Sequence, residues 1–466
     1  MRNRLITFLV FGAILVGIGE WDLRKRKIEP IQNFNDWWLE LCVANSRDKI
    51  SDPAVTFIRI TDDYKPLDLG LNDDPNADPD ATKKLTRLDY ATILGALEKL
   101  NPKSIAFEPV PEFDKDSMFN QTDIEPLKDA ALPLPRMTLG AVVSADGDAG
   151  GAEYPALSFE GDAAAIREFK RTVKSPDHQL LVNGDPAFTF FEDAKQSSGS
   201  GVVRIPLLAR QGKKVVPSFV LNALINDAGA TVDQVKVTLA GAKSSIQIGE
   251  GRAIPISGEG MLTIPAYSGV KTKMVSDQGK DSEKHHFATL TIDQIHIPGE
   301  QNDEVAKDFI TKFRRELDSV SENTVLIGFD RSIDRQFNLE NGDQLSRAGL
   351  FARAIATVQS GRYIDWWPYW LRWVAITAIL ALAFFLFSLP RAKSITFSLL
   401  GSLAILAMLV VIFKATLTWT PPFAIVSLLG LLFIVSLILP GVASSGDSSD
   451  LTQNDDEDES SAEKAT

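Results

Sequence analysis

Three long apolar runs near the C-terminal end constrain this chain more than any other feature of its sequence. They cover residues 370–389, 395–413 and 423–439. Each has roughly the length that an α-helix needs to cross about 30 Å of hydrocarbon. Only Arg372, near the start of the first run, interrupts them with a charge. Because helices of soluble proteins usually keep a polar face over such a length, the runs predict three transmembrane helices.

Aromatic side chains crowd the beginning of the first run. Trp366, Trp367, Trp370 and Trp373 lie there, together with Tyr363. Indole and phenol rings favour the headgroup boundary, where an apolar ring and a polar N–H or O–H are both accommodated. This cluster predicts that the polar part of the chain meets the bilayer near Trp366, and that the membrane region covers residues 366–440.

A further apolar run, residues 5–19, begins the chain. It is short for a span and resembles the central part of a signal peptide, with Gly17 and Gly19 as possible small residues of a cleavage site. Glu20 and Trp21 can, however, extend a helix into the interface. We favour an uncleaved anchor over residues 1–20, which gives one N-terminal and three C-terminal membrane helices.

The basic residues beside these runs give two opposite orientations. Residues 24–27 are all basic and, taken alone, place the large domain inside the cell. Arg391 and Lys393 lie between the next two spans, whereas the following connection carries only Lys414. We predict the orientation that these later connections favour. The domain at residues 28–365 is then outside a bacterial inner membrane, in the periplasm or extracellular space.

Composition excludes some classes of partner and site. The net charge of −13 over 466 residues argues against nucleic acid, whose phosphates need a basic surface. Cys42 is the only cysteine, which excludes an internal disulfide and a cysteine metal cluster. Residues 444–466 are serine-rich and acidic. We expect them to form a disordered cytoplasmic tail rather than a catalytic output domain.

The polar middle of the chain, residues 28–365, reads as one α/β domain with a mixed or parallel sheet. An apolar strand at 55–60, a helix at 88–100 and a strand at 104–107 predict a parallel crossover. Further strands are predicted at 137–144, 235–239, 245–248 and 323–328, further helices at 217–225, 303–317 and 345–358, and a hairpin that joins 253–256 to 261–264.

Several local stretches of the middle domain follow one another in a distinctive order. They are Val55–Asp63, Leu85–Ala91, Ser104–Glu108, Pro217–Phe219 and Ile254–Gly260, and then Val325–Gly328, Asp334, Gly349, Ala354 and Gly361. This order is similar to that of CHASE domains of the second type, the sensory extracellular modules of bacterial receptors. No single motif is specific, and the resemblance rests on their order together with the membrane topology. It implies an extracytoplasmic sensor.

The chain also departs from this family pattern. Glu108 replaces the usual Asp, Arg353 stands where histidine is common, and no proline follows Asp334. The tryptophan- and proline-rich start of the arginine-led helix is also absent. Receptors of the family usually carry a cyclase or kinase after the last span, where this chain has its acidic segment. The resemblance therefore covers the sensory part of these receptors and not their output domain.

Five charged residues are candidate ligand-binding residues: Asp62, Asp63, Arg87, Glu108 and Asp334. All fall at predicted strand ends or helix starts, the edge of an open α/β sheet at which ligands bind. Arg87 and Asp334 together could form a polar pocket for a small charged ligand. Helix capping and salt bridges explain the same residues without a ligand.

Motifs for metals and catalysis are weak. Residues 74–80 place Asp or Asn at alternate positions, as calcium loops do, but Pro79 replaces the required glycine and Leu85 the bidentate Glu. Histidines 285–286 and His296 lack the spacing of a zinc protease, and no Gly-x-Ser-x-Gly or Walker sequence is present. We therefore predict no catalytic residue, no metal and no cofactor.

Three functions fit these features. The first is a membrane-anchored sensory protein that binds an unknown small molecule and signals through a separate partner protein. The second is a structural or assembly protein of the cell envelope that uses the domain as a docking surface. The third, an envelope hydrolase, has the least support because no catalytic motif accompanies it.

Overall fold

A computed structural model describes most of the chain, and its residues form two compact units. One unit draws on Met1–Asn35, Trp367–Val411 and Thr420–Thr466, and the other on Asp36–Trp366 and Ile412–Trp419. The residues described are 2–25, 28–44, 54–64, 85–112, 124–192, 202–240, 244–265, 274–275, 281–282, 288–296, 317–321, 323–338 and 344–439.

The described residues contain both helices and strands in each half of the chain. The helices are α1 (Arg2–Lys25), α2 (Glu29–Ala44), α3 (Arg87–Leu100), α4 (Ile124–Ala131), α5 (Phe219–Asp227), α6 (Ile292–His296), α7 (Arg347–Gln359), α8 (Tyr369–Phe387), α9 (Arg391–Thr416) and α10 (Phe423–Ile438). The strands are β1 (Val55–Ile60), β2 (Ser104–Phe107), β3 (Met137–Ser144), β4 (Ser158–Gly161), β5 (Glu168–Phe169), β6 (Arg171–Lys174), β7 (Gly184–Phe191), β8 (Val202–Pro206), β9 (Leu208–Gln211), β10 (Lys214–Pro217), β11 (Val235–Leu239), β12 (Ser245–Ile248), β13 (Ile254–Pro255), β14 (Met261–Pro265), β15 (Met274–Val275), β16 (Asp281–Ser282), β17 (Ala288–Thr291), β18 (Thr324–Phe329), β19 (Arg335–Asn338), β20 (Gln344–Ser346), β21 (Asp365–Trp366) and β22 (Thr418–Trp419).

Among the residues that the structure describes, three helices are long and apolar enough to cross a membrane. They are Arg2–Asp22 within α1, Trp370–Phe387 within α8, and Arg391–Thr416, which is α9. The fourth predicted span, α10, is strongly apolar but has only 16 residues. Its length of about 24 Å is less than the thickness of a typical hydrocarbon core.

Helices α1 and α10 pack together and run antiparallel. Arg4, near the start of α1, donates a hydrogen bond to the carbonyl of Leu439 at the end of α10. At the opposite end, a Cβ added at Gly19 would lie 3.3 Å from the Phe423 ring. The absence of a side chain at Gly19 therefore lets α10 approach closely, and seven of the 16 residues of α10 are buried.

The second unit is built around a seven-stranded sheet. Its order is β17-β1-β18-β2-β3-β6, and β7 pairs with the other edge of β3. All strands run parallel except β6, which is antiparallel to β3. The predicted β1–α3–β2 crossover is parallel, as expected, but β18 lies between its two strands. Local pattern predicted β18 as a strand but not its place between β1 and β2, because it is more than two hundred residues from both in the sequence.

Both faces of this sheet are buried, which explains why its strands read as continuous apolar runs. On one face, Phe57, Ala106 and Leu326 belong to a core shared with α5 and α7. The opposite face, with Ile58 and Phe107, packs against α3, α4 and α6. The sheet is thus the middle layer between two layers of helices.

Several predicted elements are confirmed and one is wrong. Residues 235–239 and 245–248 form an antiparallel pair, and the predicted helix at 217–225 begins at Phe219 because Ser218 caps it. The hairpin of 253–256 with 261–264 is wrong, since β13 pairs with β12 whereas β14 pairs with β8. The turn that ends at Gly260 exists, but it directs the chain to a distant strand. Most of the helix predicted at 303–317 lies outside the described residues.

Candidate functional site

Four residues form a row across the carboxyl edge of the parallel sheet. Arg59 of β1 is directly opposite Gly328 of β18. Phe107 pairs with residues 327 and 139 of its two neighbours, so Glu108, which follows it, is level with Gly328 and Gly140. The strand register therefore brings the carboxylate of Glu108 and the guanidinium of Arg59 to the same level and the same face of the sheet.

The two glycines leave room for Glu108 and for the start of α7. A Cβ at Gly140 would lie 2.3 Å from the backbone oxygen of Glu108. A Cβ at Gly328 would lie 2.1 Å from the Cβ of Ala348 and 3.4 Å from that of Glu108. The 2.3 Å distance at Gly140 and the 2.1 Å distance at Gly328 are both shorter than van der Waals contact, so glycine is required at both positions.

Two ion pairs lie along this row. The Oε1 atom of Glu108, whose side chain is 4% exposed, is 2.8 Å from Nε of Arg347, whose side chain is 28% exposed. The guanidinium of Arg347 also lies 4.0 Å from the centre of the Phe190 ring. Arg59 pairs with Asp330, with 3.4 Å between the nearest atoms. A buried carboxylate at a strand end is thus neutralised by a partly exposed guanidinium.

The loops that follow β1 and β18 are joined by polar contacts. Arg331 binds both carboxylate oxygens of Asp334, at 2.6 and 3.2 Å. The backbone N–H of Ser332 donates to Asp62 at 2.9 Å. The Arg331 guanidinium also lies 4.2 Å from the centre of the Phe329 ring. The loop that carries Asp334 therefore contacts Asp62 through Ser332, and both carboxylates lie at this edge.

Polar residues on the side of α3 form a separate group. Thr86 and Asp89 form a capping box at the start of α3, and the Tyr64 hydroxyl donates to Asp89 at 2.6 Å. Burial raises the pKa of Tyr64, and its hydrogen bond to Asp89 raises it further. Arg87 pairs with Asp177 at 3.3 Å. Helix capping explains Thr86 and Asp89, and the ion pair with Asp177 explains Arg87, without any ligand.

The five predicted site residues thus fall into different environments. Asp62, Glu108 and Asp334 lie at the carboxyl edge, and Asp63 is exposed in the turn after β1. Arg87 and Asp334, predicted to form one pocket, have Asp177 and Arg331 respectively as ion-pair partners. Their role in ligand binding stays a prediction.

Three charged residues that complete the edge, Asp330, Arg331 and Arg347, are not among those predicted from the sequence. Asp330 and Arg331 directly follow β18, so the strand-end rule that selected Asp62 would also have selected them. Arg347 begins α7, so the helix-start rule that selected Arg87 would also have selected it. Its pairing with Glu108 had no such signal, because the two residues are 239 positions apart. Only the tertiary fold brings these two residues together.

The other sequence motifs are not placed by the structure. Residues 74–80 and 285–286 lie outside the described residues, as does the side chain of His296. Within the described part of the chain, no three His, Cys, Asp or Glu side chains converge as they would around a metal ion.

Comparison with known proteins gives no family for this chain. No family model matches it, and neither a curated protein nor a solved structure matches it. The similarity to CHASE domains therefore stays a prediction from the order of residues.

Proposed function

We propose that this protein is a membrane-anchored sensor whose α/β unit binds a small charged molecule at the carboxyl edge of its sheet. The observation that carries the proposal is the pairing of buried Glu108 with partly exposed Arg347. In the proposed orientation the unit lies outside a bacterial inner membrane, and it signals through a separate partner protein.

Glu108 is costly for the fold, which favours a functional reason for it. A buried carboxylate is stable only when it is paired and hydrogen-bonded, and apolar residues of similar size are often as stable. Its partner Arg347 begins α7, which is otherwise mostly buried. An ion pair between a strand end and a helix start is well placed to respond to a charged ligand.

Arg347 has the chemistry to recognise an anion. Its Nε bonds to Glu108, and a guanidinium carries four further N–H donors on its terminal nitrogens. Planar pairs of donors match carboxylate and phosphate oxygens, and the exposed fraction of Arg347 makes it accessible. Arg331, with Asp334, offers a second guanidinium–carboxylate pair at the same edge. A ligand with at least one carboxylate or phosphate group is the expected class.

The test is a thermal-shift screen of the purified full-length protein in detergent against small carboxylates, phosphates and amino acids. A ligand that binds only the native state adds about 2.7 kcal/mol at a hundredfold excess over its Kd. We expect one class to raise the unfolding midpoint, and Arg347→Met to abolish the rise. Arg210→Met is the matched control, because Arg210 pairs with Glu168 at 2.6 Å on another sheet.

A variant with an unpaired buried carboxylate could unfold, so the Glu108→Gln/Arg347→Met double variant is tested beside the single one. The double variant has no charge at residue 108 or at residue 347. It should therefore retain the fold while it loses the ligand response. A ligand shift as large as that of the wild-type protein, in either the double variant or Arg347→Met, would refute the proposed site. No shift with any compound in the wild-type protein would refute the sensor.

A docking or assembly role in the cell envelope is the second candidate. One observation favours it: Arg87, Arg331 and Arg347 each already have a carboxylate partner within the same unit. A purely structural edge would give no thermal shift with any small molecule. The intact protein, cross-linked in cells, would instead be recovered with an envelope protein.

A further inference from the structure

Two arginines bind the last turn of α10. The Nε of Arg4 donates to the carbonyl of Leu439 at 3.0 Å, and an amino group of Arg4 contacts the Ser436 carbonyl at 3.5 Å. Arg391, the first residue of α9, donates to the Leu437 carbonyl. Both guanidinium groups thus meet carbonyls within four residues of one helix, which brings two like charges to the same place.

Two more cations are close to these arginines in the sequence: Arg2 is two positions from Arg4, and Lys393 is two positions from Arg391. Arg2 and Lys393 are both exposed. The last residue of α8 lies at the same end of the unit as the start of α1, since the rings of Phe8 and Phe387 are 5.8 Å apart. The described residues around this end are 2–8, 387–397 and 432–439, and they contain no Asp or Glu. Four positive residues therefore lie at this end of the unit, without an acidic residue among those around it.

Helix dipoles do not offset this charge. Two helices, α1 and α9, begin at this end, and two, α8 and α10, finish there. Each terminus is equivalent to about half an elementary charge, positive at the beginning and negative at the end, so the four terms cancel. Arg4 is 1% exposed, and its Nη1 atom has no hydrogen-bond partner among the described residues. A buried, incompletely bonded guanidinium within a cationic cluster is a site for an anion.

We propose that this basic end binds the phosphate of an anionic phospholipid headgroup. A lipid is the fitting source of the phosphate because apolar side chains lie exposed next to the cations. Ile6 is two residues from Arg4 and is 49% exposed, and Phe397 is four residues from Lys393 and is 50% exposed. The phosphate would meet the arginines while the acyl chains cover these side chains.

This inference depends on the membrane insertion included in the proposed function, and the two can fail separately. Extraction of native membranes with alkaline carbonate tests insertion alone: an inserted protein stays in the pellet. Binding is then measured on the full-length protein in neutral detergent, titrated with phosphatidylglycerol or phosphatidylcholine and followed by native mass spectrometry. We expect saturable retention of phosphatidylglycerol and weak retention of phosphatidylcholine.

The variant that tests the site is Arg391→Gln/Lys393→Gln, which spares buried Arg4. Since each basic residue near an anionic lipid is worth about fivefold in affinity, the double variant should bind phosphatidylglycerol about 25-fold more weakly. Lys414→Gln is the matched control, because Lys414 is exposed at the opposite end of the same helix, and it should bind normally. Arg391→Lys/Lys393→Arg should also bind normally and shows that charge is what matters.

Three results would overturn the proposal. The first is equal retention of the two lipids by the wild-type protein. The second is an unchanged affinity in Arg391→Gln/Lys393→Gln. The third is displacement of phosphatidylglycerol by millimolar inorganic phosphate, which would make the site one for the free anion.

Discussion

A single methyl group at Gly328 is expected to disrupt the contact between the sheet and α7. In Gly328→Ala, the new Cβ would lie 2.1 Å from the Cβ of Ala348. Apolar carbons rest about 3.5–4.0 Å apart, so strand and helix must separate by about 1.5 Å. Neither is free to move, because β18 is paired on both sides and the residues of α7 from 348 to 357 are buried.

The size of the effect follows from this crowding. Overpacking in a well-packed core costs about 1–3 kcal/mol. We expect the upper part of that range, about 2–3 kcal/mol, because both atoms are Cβ atoms held by backbone and cannot rotate away. For a large domain this lowers the unfolding midpoint by about 4–12 °C, at about 2–4 °C per kcal/mol.

Two further variants isolate the cause. In Gly328→Ala/Ala348→Gly the methyl group moves to the other side of the contact, so most of the lost stability should return, less the cost of glycine in a helix, about 1 kcal/mol. Gly95→Ala is the control, because a Cβ at Gly95 meets nothing within 4 Å. In the middle of α3 it should leave stability unchanged or raise it by up to about 1 kcal/mol.

The measurement is thermal unfolding of the full-length variants in one detergent, followed by near-ultraviolet circular dichroism, which reports tertiary packing. A Gly328→Ala midpoint within 1 °C of wild type would refute the reasoning. So would a Gly328→Ala/Ala348→Gly variant no more stable than Gly328→Ala.

Three other predictions concern single groups in the α/β unit. Burial raises the pKa of Tyr154 to about 12. The neutral phenol is therefore favoured in the folded state, so stability is retained below pH 10 and falls by about 2–3 kcal/mol between pH 10 and 12. Tyr154→Phe should show a smaller fall in urea midpoints over that range. Burial also raises the pKa of Cys42 to about 12, so maleimide at pH 8 should label the unfolded protein but leave the native one unlabelled. Ser218 accepts a hydrogen bond from the Leu221 N–H as the cap of α5, and Ser218→Ala should cost about 1 kcal/mol in chemical unfolding, whereas an unchanged midpoint would contradict this role.

The sequence alone predicted what depends on local pattern. Strand 55–60 and the strand found at Thr324–Phe329 were recognisable because both faces of the sheet are buried, which makes each strand an uninterrupted apolar run. Helix α3 was recognisable from its spacing and from Asn101, which ends it in a left-handed conformation. The length of α10 is the exception, since its apolar run predicts a span and the helix is shorter.

Pairings between distant segments could not be predicted in this way. The turn before Met261 has the same residues whether β14 joins its nearest neighbour or β8, and packing rather than turn chemistry decides. The candidate site shows the same limit. Strand ends identified Glu108 and Asp62, but the partners of these residues depend on which strands lie side by side.

Gly328 connects the stability of the fold to the chemistry of the edge. Its lack of a side chain lets α7 begin close to the sheet, and Arg347, the residue before Ala348, reaches Glu108 from that helix start. A helix displaced by about 1.5 Å would lengthen this 2.8 Å contact beyond hydrogen-bond distance. Gly328→Ala should therefore lose the response to a charged ligand at temperatures where it is still folded, and Gly328→Ala/Ala348→Gly should regain it. A Gly328→Ala protein that is destabilised but keeps the full ligand response would separate the ion pair from the binding site and leave Glu108 and Arg347 a purely structural role.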